Sequence, residues 1–242
     1  MDLTNLPQRD WGKKLEYEDG TGLRIFSVEP QAHIIGVPQT VGLLEGYSAD
    51  AILVKAFEKN YKTASNPKVV ESYGFEKKHG EPIELLGFNF ECIYDRAIEG
   101  EMNRYRVGHS KNYESGRYVD YVKHGLTFVF PDDVVTEKDK YEFVRKDVLH
   151  DLERYRRAVE KGAKRQAARR RLGEYRAVES IHFINLRTVM HMATQRSAVY
   201  SPNGREAEPQ ISTVVTQMLE SIELYLPHFF EVVKEQVGKG YR

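Results

Sequence analysis

Side chains that can bind an anion are concentrated between residues 104 and 118, in the sequence RYRVGHSKNYESGRY. Four Lys and Arg side chains, two serines and an asparagine share this glycine-containing stretch. Backbone N–H groups, hydroxyls and guanidinium forks are the donors that hold phosphate in proteins. The segment therefore predicts an anion site, and the alternative is a solvated polar loop.

Two further segments carry chemistry-bearing side chains. Lys161–Arg176 holds seven basic residues against one acidic residue. It is typical of a solvated helix face; a nucleic-acid stripe is the alternative, although the aromatic residues of a single-strand platform are missing. The third segment, HFINLR at 182–187, is followed by His191. No third ligand accompanies the two histidines, so we expect no metal site and a structural role for His191.

The composition limits the class of protein. The 242 residues contain 36 Lys and Arg against 36 Asp and Glu, and this balance argues against a surface that coats a polyanion. A single cysteine, Cys92, excludes a disulfide framework. Residues 1–14 lack the apolar region of a signal peptide, and no apolar run approaches the length of a membrane span. We therefore expect a cytoplasmic protein without a membrane partner.

Hydrophobic patterns predict the elements that must position these segments. Residues 1–22 are expected to form an irregular N-terminal arm and 107–118 an ordered loop. Phe88, Phe90 and Cys92 alternate with polar residues, which is typical of a half-buried strand. Further strands are expected at 24–37 and 126–135. The predicted helices are 49–61, 95–105, 137–161, 163–172, 180–192 and one that opens at Pro209. The chain is thus expected to be a single α+β domain, 1–242, with most helices in its second half.

In this order, the three segments resemble the motifs of the flavin-dependent thymidylate synthases, the ThyX family. The family signature is RHR, a short spacer and SxNxxSxRY, and here RYR at 104–106 precedes Ser110, Asn112, Ser115, Arg117 and Tyr118. HGEPIE at 79–84 resembles the family segment HETPFEH, and it precedes the strand with Phe88 and Phe90. Ala168-Arg169 resembles the AR element, and HFINLR is similar to HFLxLR.

The resemblance implies a fold, a reaction and an assembly. The fold would be the family's α+β domain, with a central mostly antiparallel sheet flanked by helices. The protein would be a homotetramer with its active sites at subunit interfaces. The reaction would be reductive methylation at C5 of a uridine nucleotide. Methylenetetrahydrofolate would donate the carbon, and FAD, reduced by NADPH, would carry hydride.

The resemblance also implies roles for individual residues. The positions that match flavin contacts are His79, Glu84, Arg104, Tyr105, Arg106 and His182. The positions that match substrate contacts are Glu101, Arg104, Ser115, Gly116, Arg117, Arg169 and Arg187. Arg187 and Ser115 are the expected catalytic residues; Arg187 would address the pyrimidine ring and stabilise charge that develops on it. The family needs no cysteine nucleophile, so Cys92 is expected to be a packing residue.

The sequence departs from the family pattern around the nucleotide. Tyr105 replaces the middle His of RHR, and one extra residue precedes Ser110. Glu101 stands where Gln is usual, and it would repel a phosphate unless it turned away or bound a hydroxyl. Residues 192–208 resemble an insertion. These departures favour a substrate with a different sugar, UMP beside or instead of dUMP, as in the branch that serves nucleoside-antibiotic pathways. The alternatives are a dUMP-specific thymidylate synthase, a nucleic-acid-binding module and a non-catalytic family member.

Overall fold

The computed structural model of the chain describes residues 6–39 and 42–241. Its backbone contacts divide the chain into two units, each assembled from separated segments. The first unit contains the described residues up to Glu29, then Ile93–Ala97 and Glu114–Val178. The second contains Pro30–Cys92, Ile98–Tyr113 and the described residues from Glu179 onward. That the whole chain acts as one domain stays a prediction.

Strands and helices are both present in quantity, and helices dominate the second half. The strands found in the described residues are β1 (Lys14–Glu18), β2 (Arg24–Ser27), β3 (Gln31–Gly36), β4 (Gly87–Asp95), β5 (His109–Tyr113), β6 (Leu126–Phe128) and β7 (Ala177–Asn185). The α-helices found there are α1 (Asp50–Tyr61), α2 (Pro67–Val69), α3 (Arg96–Met102), α4 (Tyr121–His124), α5 (Glu137–Phe143), α6 (Leu149–Glu160), α7 (Arg165–Ala168), α8 (Leu186–Arg196), α9 (Pro209–Ser221) and α10 (Phe230–Gly238). This content confirms the predicted α+β class.

The first unit is built on a three-stranded sheet of order β1-β2-β6, in which β1 and β2 are antiparallel and β2 and β6 are parallel. Helices α5 and α6 are joined by a π-helical turn, Val144–Val148, and form one continuous helical segment. Val144, Val148 and Leu152 from this segment are buried in one cluster with Ile25 and Leu126 of the sheet. The core of this unit therefore lies between the sheet and the long helical segment.

The second unit carries a four-stranded sheet of order β3-β4-β7-β5, in which β5 and β7 are antiparallel. The described strands thus form two sheets, one of three strands and one of four. Helix α9 contacts β3, and α8 contacts both α9 and α10. Phe88 and Phe90 of β4 are fully buried, while Asn89 and Glu91 are half-buried. The alternation predicted for this strand is confirmed.

Several predicted elements agree with the structure and others do not. The helices predicted at 49–61, 137–161 and from Pro209 are confirmed. The helix predicted at 163–172 is shorter, because α7 covers only Arg165–Ala168 and then tightens into a 3-10 turn. In the expected irregular arm, residues 14–18 form β1 and residues 1–5 lie outside the described part.

The helix predicted at 180–192 is wrong over its first half. Residues 177–185 are strand β7, and the helix begins at Leu186. Ser180, His182 and Ile184 are buried while Ile181 and Phe183 are exposed, which is the period of a strand. The expected loop at 107–118 also contains a strand, β5, because its polar residues pair with β7. Both errors arise where tertiary pairing overrides a weak local pattern.

The junction between β7 and α8 fixes the position of Arg187. Asn185 donates its backbone N–H to the carbonyl of Gly108 at 2.9 Å, and its side-chain oxygen accepts from the N–H of Thr188 at 2.9 Å. The backbone N–H of Leu186 donates to the carbonyl of Leu86 at 2.8 Å. The side chain of Asn185 is therefore an N-cap, and the start of α8 is bonded to two other segments.

No helix within residues 6–39 and 42–241 is long and apolar enough to cross a membrane.

Gly108 is expected to tolerate no side chain. Its φ is +62°, and an added Cβ would lie 2.1 Å from Nδ2 of Asn185. Gly108→Ala should lower the free energy of unfolding by about 2 kcal/mol or more, because backbone strain and steric overlap add. The measurement is urea unfolding followed by circular dichroism.

The matched control is Gly162→Ala. Gly162 also has a positive φ, +84°, but its added Cβ would have no atom within 4 Å. At Gly162 only the backbone strain remains, so we expect the free energy of unfolding to fall by about 1 kcal/mol. Equal losses in the two variants would show that the contact with Asn185 is unimportant.

Candidate active site

Arg187 and Glu84, which are about a hundred positions apart in the sequence, form an ion pair in the second unit. Arg187 Nη1 donates to Glu84 Oε1 at 2.5 Å, and both side chains are partly exposed. Gly80 makes room for the guanidinium, since a Cβ on Gly80 would lie 2.7 Å from Arg187 Nε. Two residues predicted from separate motifs are thus brought together, with Glu84 orienting the fork of Arg187.

The Arg104-Tyr105-Arg106 segment follows α3 and is held by a lysine on β5. Lys111 Nζ donates to the carbonyl of Met102 at 2.9 Å and to that of Tyr105 at 3.0 Å. Burial and the nearby charge of Arg106 lower the pKa of the Lys111 ammonium. The lysine therefore fixes the turn that presents the two arginines, and sequence reasoning assigned it no such role.

A cavity of about 410 Å³ lies where these groups meet. Two of the residues that line this cavity, Tyr105 and His191, have rings that meet edge-on, at a centroid distance of 5.9 Å. Tyr241, near the end of the described chain, also lines the cavity, and burial raises the pKa of its hydroxyl. The lining residues are Glu84, Arg104, Tyr105, Arg106, Val107, Arg187, Thr188, His191 and Tyr241.

His79 lies at the surface in an aromatic group and does not line that cavity. Its Nδ1 shares a hydrogen bond with the hydroxyl of Tyr61, whose ring stacks on the imidazole at a centroid distance of 6.0 Å. Tyr73 meets the imidazole edge-on. The imidazole is therefore held in one orientation with part of its surface accessible.

His182 does not reach the surface of the chain. It is fully buried on β7, where its Nδ1 lies 2.8 Å from Nε2 of His109 and its Nε2 lies 2.9 Å from the Ser180 hydroxyl. Burial lowers the pKa of His182 to about 3 and that of His109 to about 4. Both rings are neutral at pH 7, so within the chain His182 holds β5 against β7 and presents no atom to a ligand.

Glu101 has two arginine partners. Arg196 Nη1, at the end of α8, lies 2.8 Å from Glu101 Oε2, and Arg104 Nη1 lies 3.9 Å from Glu101 Oε1. The repulsion expected between this carboxylate and an anionic ligand is therefore offset by neighbouring charge. Arg196 falls at the start of the apparent insertion, 192–208, and sequence reasoning did not select it.

The remaining site residues lie in the first unit. Ser115 and Arg117 form a turn, in which the backbone N–H of Arg117 donates to the Ser115 hydroxyl oxygen at 3.4 Å. Gly116 is buried, and a Cβ on it would lie 3.3 Å from Cδ of Arg169. The Ser115–Arg117 turn thus lies against Arg169 at Gly116, and that these residues bind an anion stays a prediction.

The basic run at 161–176 is divided rather than continuous. Arg165 donates to Asp120 at 2.6 Å and to the carbonyl of Tyr118 at 3.2 Å. Arg176 is buried over the ring of Tyr121. With these two arginines engaged internally, the run does not present the uninterrupted exposed stripe that a nucleic-acid module needs.

Neither a metal cluster nor a cysteine nucleophile is found in the described ranges. No group of three His, Cys, Asp or Glu side chains placed to hold a metal is present in residues 6–39 and 42–241. Cys92 is fully buried on β4, and burial raises the pKa of its thiol well above the usual value. The thiol is therefore a packing group, as expected.

Comparison with known proteins identifies one matching family model, described as Thymidylate synthase complementing protein, over residues 44–228. No curated protein sequence matches the chain.

Similar solved structures include a UMP/dUMP methylase, PolB, from Streptomyces cacaoi bound with 5-Br UMP. It is 19% identical with a TM-score of 0.72, and the match covers 91% of this chain and 99% of that one. The same methylase bound with 5-Br dUMP is 18% identical with a TM-score of 0.68, covering 86% and 94%. Thymidylate synthase X from Helicobacter pylori, with FAD and dUMP, is 17% identical with a TM-score of 0.61, covering 85% and 99%.

The buried pair of histidines predicts a loss of stability in acid. In the unfolded chain both pKa values return to about 6.5, above the folded values. Below about pH 6.5 the unfolded chain therefore binds protons that the folded chain excludes, and the free energy of unfolding falls. Between about pH 7.5 and about pH 5.5 each histidine should contribute a loss of about 1.4 kcal/mol.

Urea unfolding at the two pH values measures this loss. His109→Gln keeps a polar group near the position of Nε2. Because one of the two titrating histidines is then absent, this variant should show about half of the loss in the free energy of unfolding between the two pH values. His150→Gln is the matched control, because the His150 side chain is 61% exposed. An unchanged pH dependence in the His109 variant would contradict the assignment.

Proposed function

The chain belongs to the Thymidylate synthase complementing protein family, whose members are flavin-dependent thymidylate synthase-like enzymes, and on that premise we propose that it methylates C5 of a uridine monophosphate. The substrate is UMP, dUMP or both. The observation that carries this proposal is the cavity that brings Glu84 and Arg187 together with Arg104 and Arg106, residues from three separate motifs. The solved Streptomyces cacaoi structures support the nucleotide class, since that methylase is bound with analogues of both nucleotides.

The residues at this cavity fit a flavin dinucleotide. Arg104 and Arg106 line the cavity and carry the positive charge that a pyrophosphate needs, while Tyr105, His191 and Tyr241 offer ring surfaces. The Helicobacter pylori protein is described with FAD, which supports the same cofactor here. We propose that Glu84, Arg104, Tyr105 and Arg106 hold FAD and that exposed His79 contacts it from the aromatic group. His182 supports the site indirectly, through β5 and β7.

The chain's own residues bind and orient the reactants. Arg187, fixed by Glu84, has a partly exposed guanidinium that can donate to a carbonyl of the pyrimidine and stabilise negative charge on the ring. Within the first unit, we propose that the Ser115–Arg117 turn, with Arg169 beside Gly116, supplies phosphate donors and that the Ser115 hydroxyl is the catalytic group there. FAD, when bound, supplies the hydride that it takes from NADPH.

The overall change replaces the C5 proton of the pyrimidine by a methyl group. We propose that methylenetetrahydrofolate donates the carbon and that the hydride completes its reduction. The assembly is proposed to be a homotetramer with active sites at subunit interfaces, and both this and a cytoplasmic location stay predictions. A place in a nucleoside-antibiotic pathway is likewise a prediction, which depends on UMP being a substrate.

Tritium release from C5-labelled nucleotides tests the reaction. With FAD, NADPH and methylenetetrahydrofolate present, the protein should release tritium from UMP, and it should show flavin absorption when purified or after FAD is added. UMP labelled at C6 is the control, because methylation at C5 leaves that hydrogen in place. Release from dUMP alone would overturn the UMP assignment and leave a dUMP-specific synthase. Release from neither nucleotide would overturn the proposed function.

Removal of the Arg187 side chain should abolish the reaction. Arg187→Ala is expected to reduce kcat/KM by about a hundredfold or more, since a preorganised donor to the reacting ring is lost. Arg205→Ala is the control, because Arg205 is exposed on the 3-10 turn Pro202–Glu206. Light scattering and circular dichroism should show the same assembly and fold in both variants. Persistent activity in the Arg187 variant would show that the pyrimidine lies elsewhere.

A further inference from the structure

A second cavity, of about 550 Å³, borders the first and contains an arginine that no motif indicated. Its lining residues are Arg104, Tyr105, His191, Gln195 and Arg196, of which the first three also line the first cavity. Both arginines here have a partner in Glu101, but the two contacts differ in closeness and in burial. That difference indicates which of the two cations remains available to a ligand.

Arg196 is largely committed to the protein. Its Nη1 lies 2.8 Å from Glu101 Oε2, its Nε donates to the hydroxyl of Tyr105 at 3.2 Å, and its side chain is only 21% exposed. The ion pair reaches α3, and the hydrogen bond reaches the turn that follows it. Arg196 therefore connects the end of α8 to Glu101 and Tyr105 at once.

Arg104 differs from Arg196 both in its distance from Glu101 and in its exposure. Its Nη1 lies 3.9 Å from Glu101 Oε1, which is too far for a hydrogen bond, and its side chain is 69% exposed. Arg104 follows Glu101 by three residues and lies in the turn just after α3, so the carboxylate is within reach of its side chain. If Glu101 lacked another cation, it would attract Arg104 and hold its fork away from a ligand.

We propose that Arg196 is a positioning residue of the nucleotide site, which neutralises Glu101 and so keeps Arg104 free to bind the phosphoryl group. The inference rests on the proposed function, and it deepens it by naming the residue that keeps Arg104, one of the substrate contacts that the family resemblance implies, available to an anion at the second cavity. Glu101 then acts through the arginines rather than by contact with the sugar. This role of Arg196 explains how an acidic residue, Glu101, can lie beside an anion site.

A pair of substitutions tests this arrangement. Arg196→Gln leaves Glu101 to capture Arg104, so the Kd for UMP and for dUMP, measured by calorimetry on the FAD-loaded protein, should rise about tenfold. The double variant Glu101→Gln, Arg196→Gln removes the capturing charge and should bind within about threefold of the unsubstituted protein. In turnover the single variant should raise KM and leave kcat nearly unchanged.

Two controls separate this effect from a general loss of structure. Arg205→Gln removes an exposed arginine elsewhere and should leave nucleotide binding unchanged. Uridine, which has no phosphate, should bind equally to the unsubstituted protein and to the Arg196 variant. Glu101→Gln alone keeps Arg196 in place and should bind the nucleotides as tightly as the unsubstituted protein or more tightly.

Each remaining outcome contradicts the inference. If the double variant binds as weakly as the Arg196 single variant, Arg196 either contacts the ligand or has only a structural role. If Glu101→Gln alone weakens binding, Glu101 contacts the ligand itself. If the unsubstituted protein binds neither UMP nor dUMP, the proposed function fails and this inference fails with it. If the unsubstituted protein binds UMP or dUMP but the double variant does not regain that affinity, this inference is wrong and the proposed function stands.

Discussion

The site depends on the point where three chain segments meet at the first turn of α8. Asn185 and Leu186 are bonded to the carbonyls of Gly108 and Leu86, and the Thr188 hydroxyl donates to the carbonyl of Val107 at 2.7 Å. These bonds fix the end of β7, the start of α8 and the turn before β5 in one arrangement. Arg187 lies within this junction, so its guanidinium is directed by backbone geometry before any side chain contacts it.

Three arginines of the second unit differ in how closely a carboxylate pairs with them. Arg187 and Arg196 each have a carboxylate at 2.8 Å or closer, whereas Arg104 has only a distant one. Paired arginines are oriented and lose much of their attraction for a free anion, while a less constrained arginine keeps it. The formal net charge of zero for the whole chain is therefore compatible with local sites that attract phosphate.

The sequence was sufficient for elements with strong periodicity and for residues in contiguous motifs. The alternation at Phe88 and Phe90 and the long apolar stripe of 137–161 predicted their elements correctly. Strand β7 was read as a helix because Ile181 and Phe183 are apolar yet exposed, at 44% and 42%, which hides the two-residue period. Strand β5 was missed because its residues are polar and it lies at the edge of its sheet.

The same reasoning applies to the site. The resemblance to the family motifs selected Glu84, Arg104 and Arg187, and the structure places all three at one cavity. Arg196 and Lys111 could not be selected, because their roles arise from contacts between segments that are distant in sequence or that depend on a turn. The resemblance selected His182 as a flavin contact, and only the sheet shows that its side chain faces inward to His109.

The buried polar groups around His182 form a linked series. His182 Nε2 lies 2.9 Å from the Ser180 hydroxyl, and His182 Nδ1 lies 2.8 Å from Nε2 of His109. A neutral imidazole carries one ring hydrogen, so when one nitrogen of His182 donates, the other must accept. The tautomers of the two histidines are therefore coupled, because the nitrogen of His182 that carries the hydrogen decides whether His109 Nε2 donates or accepts.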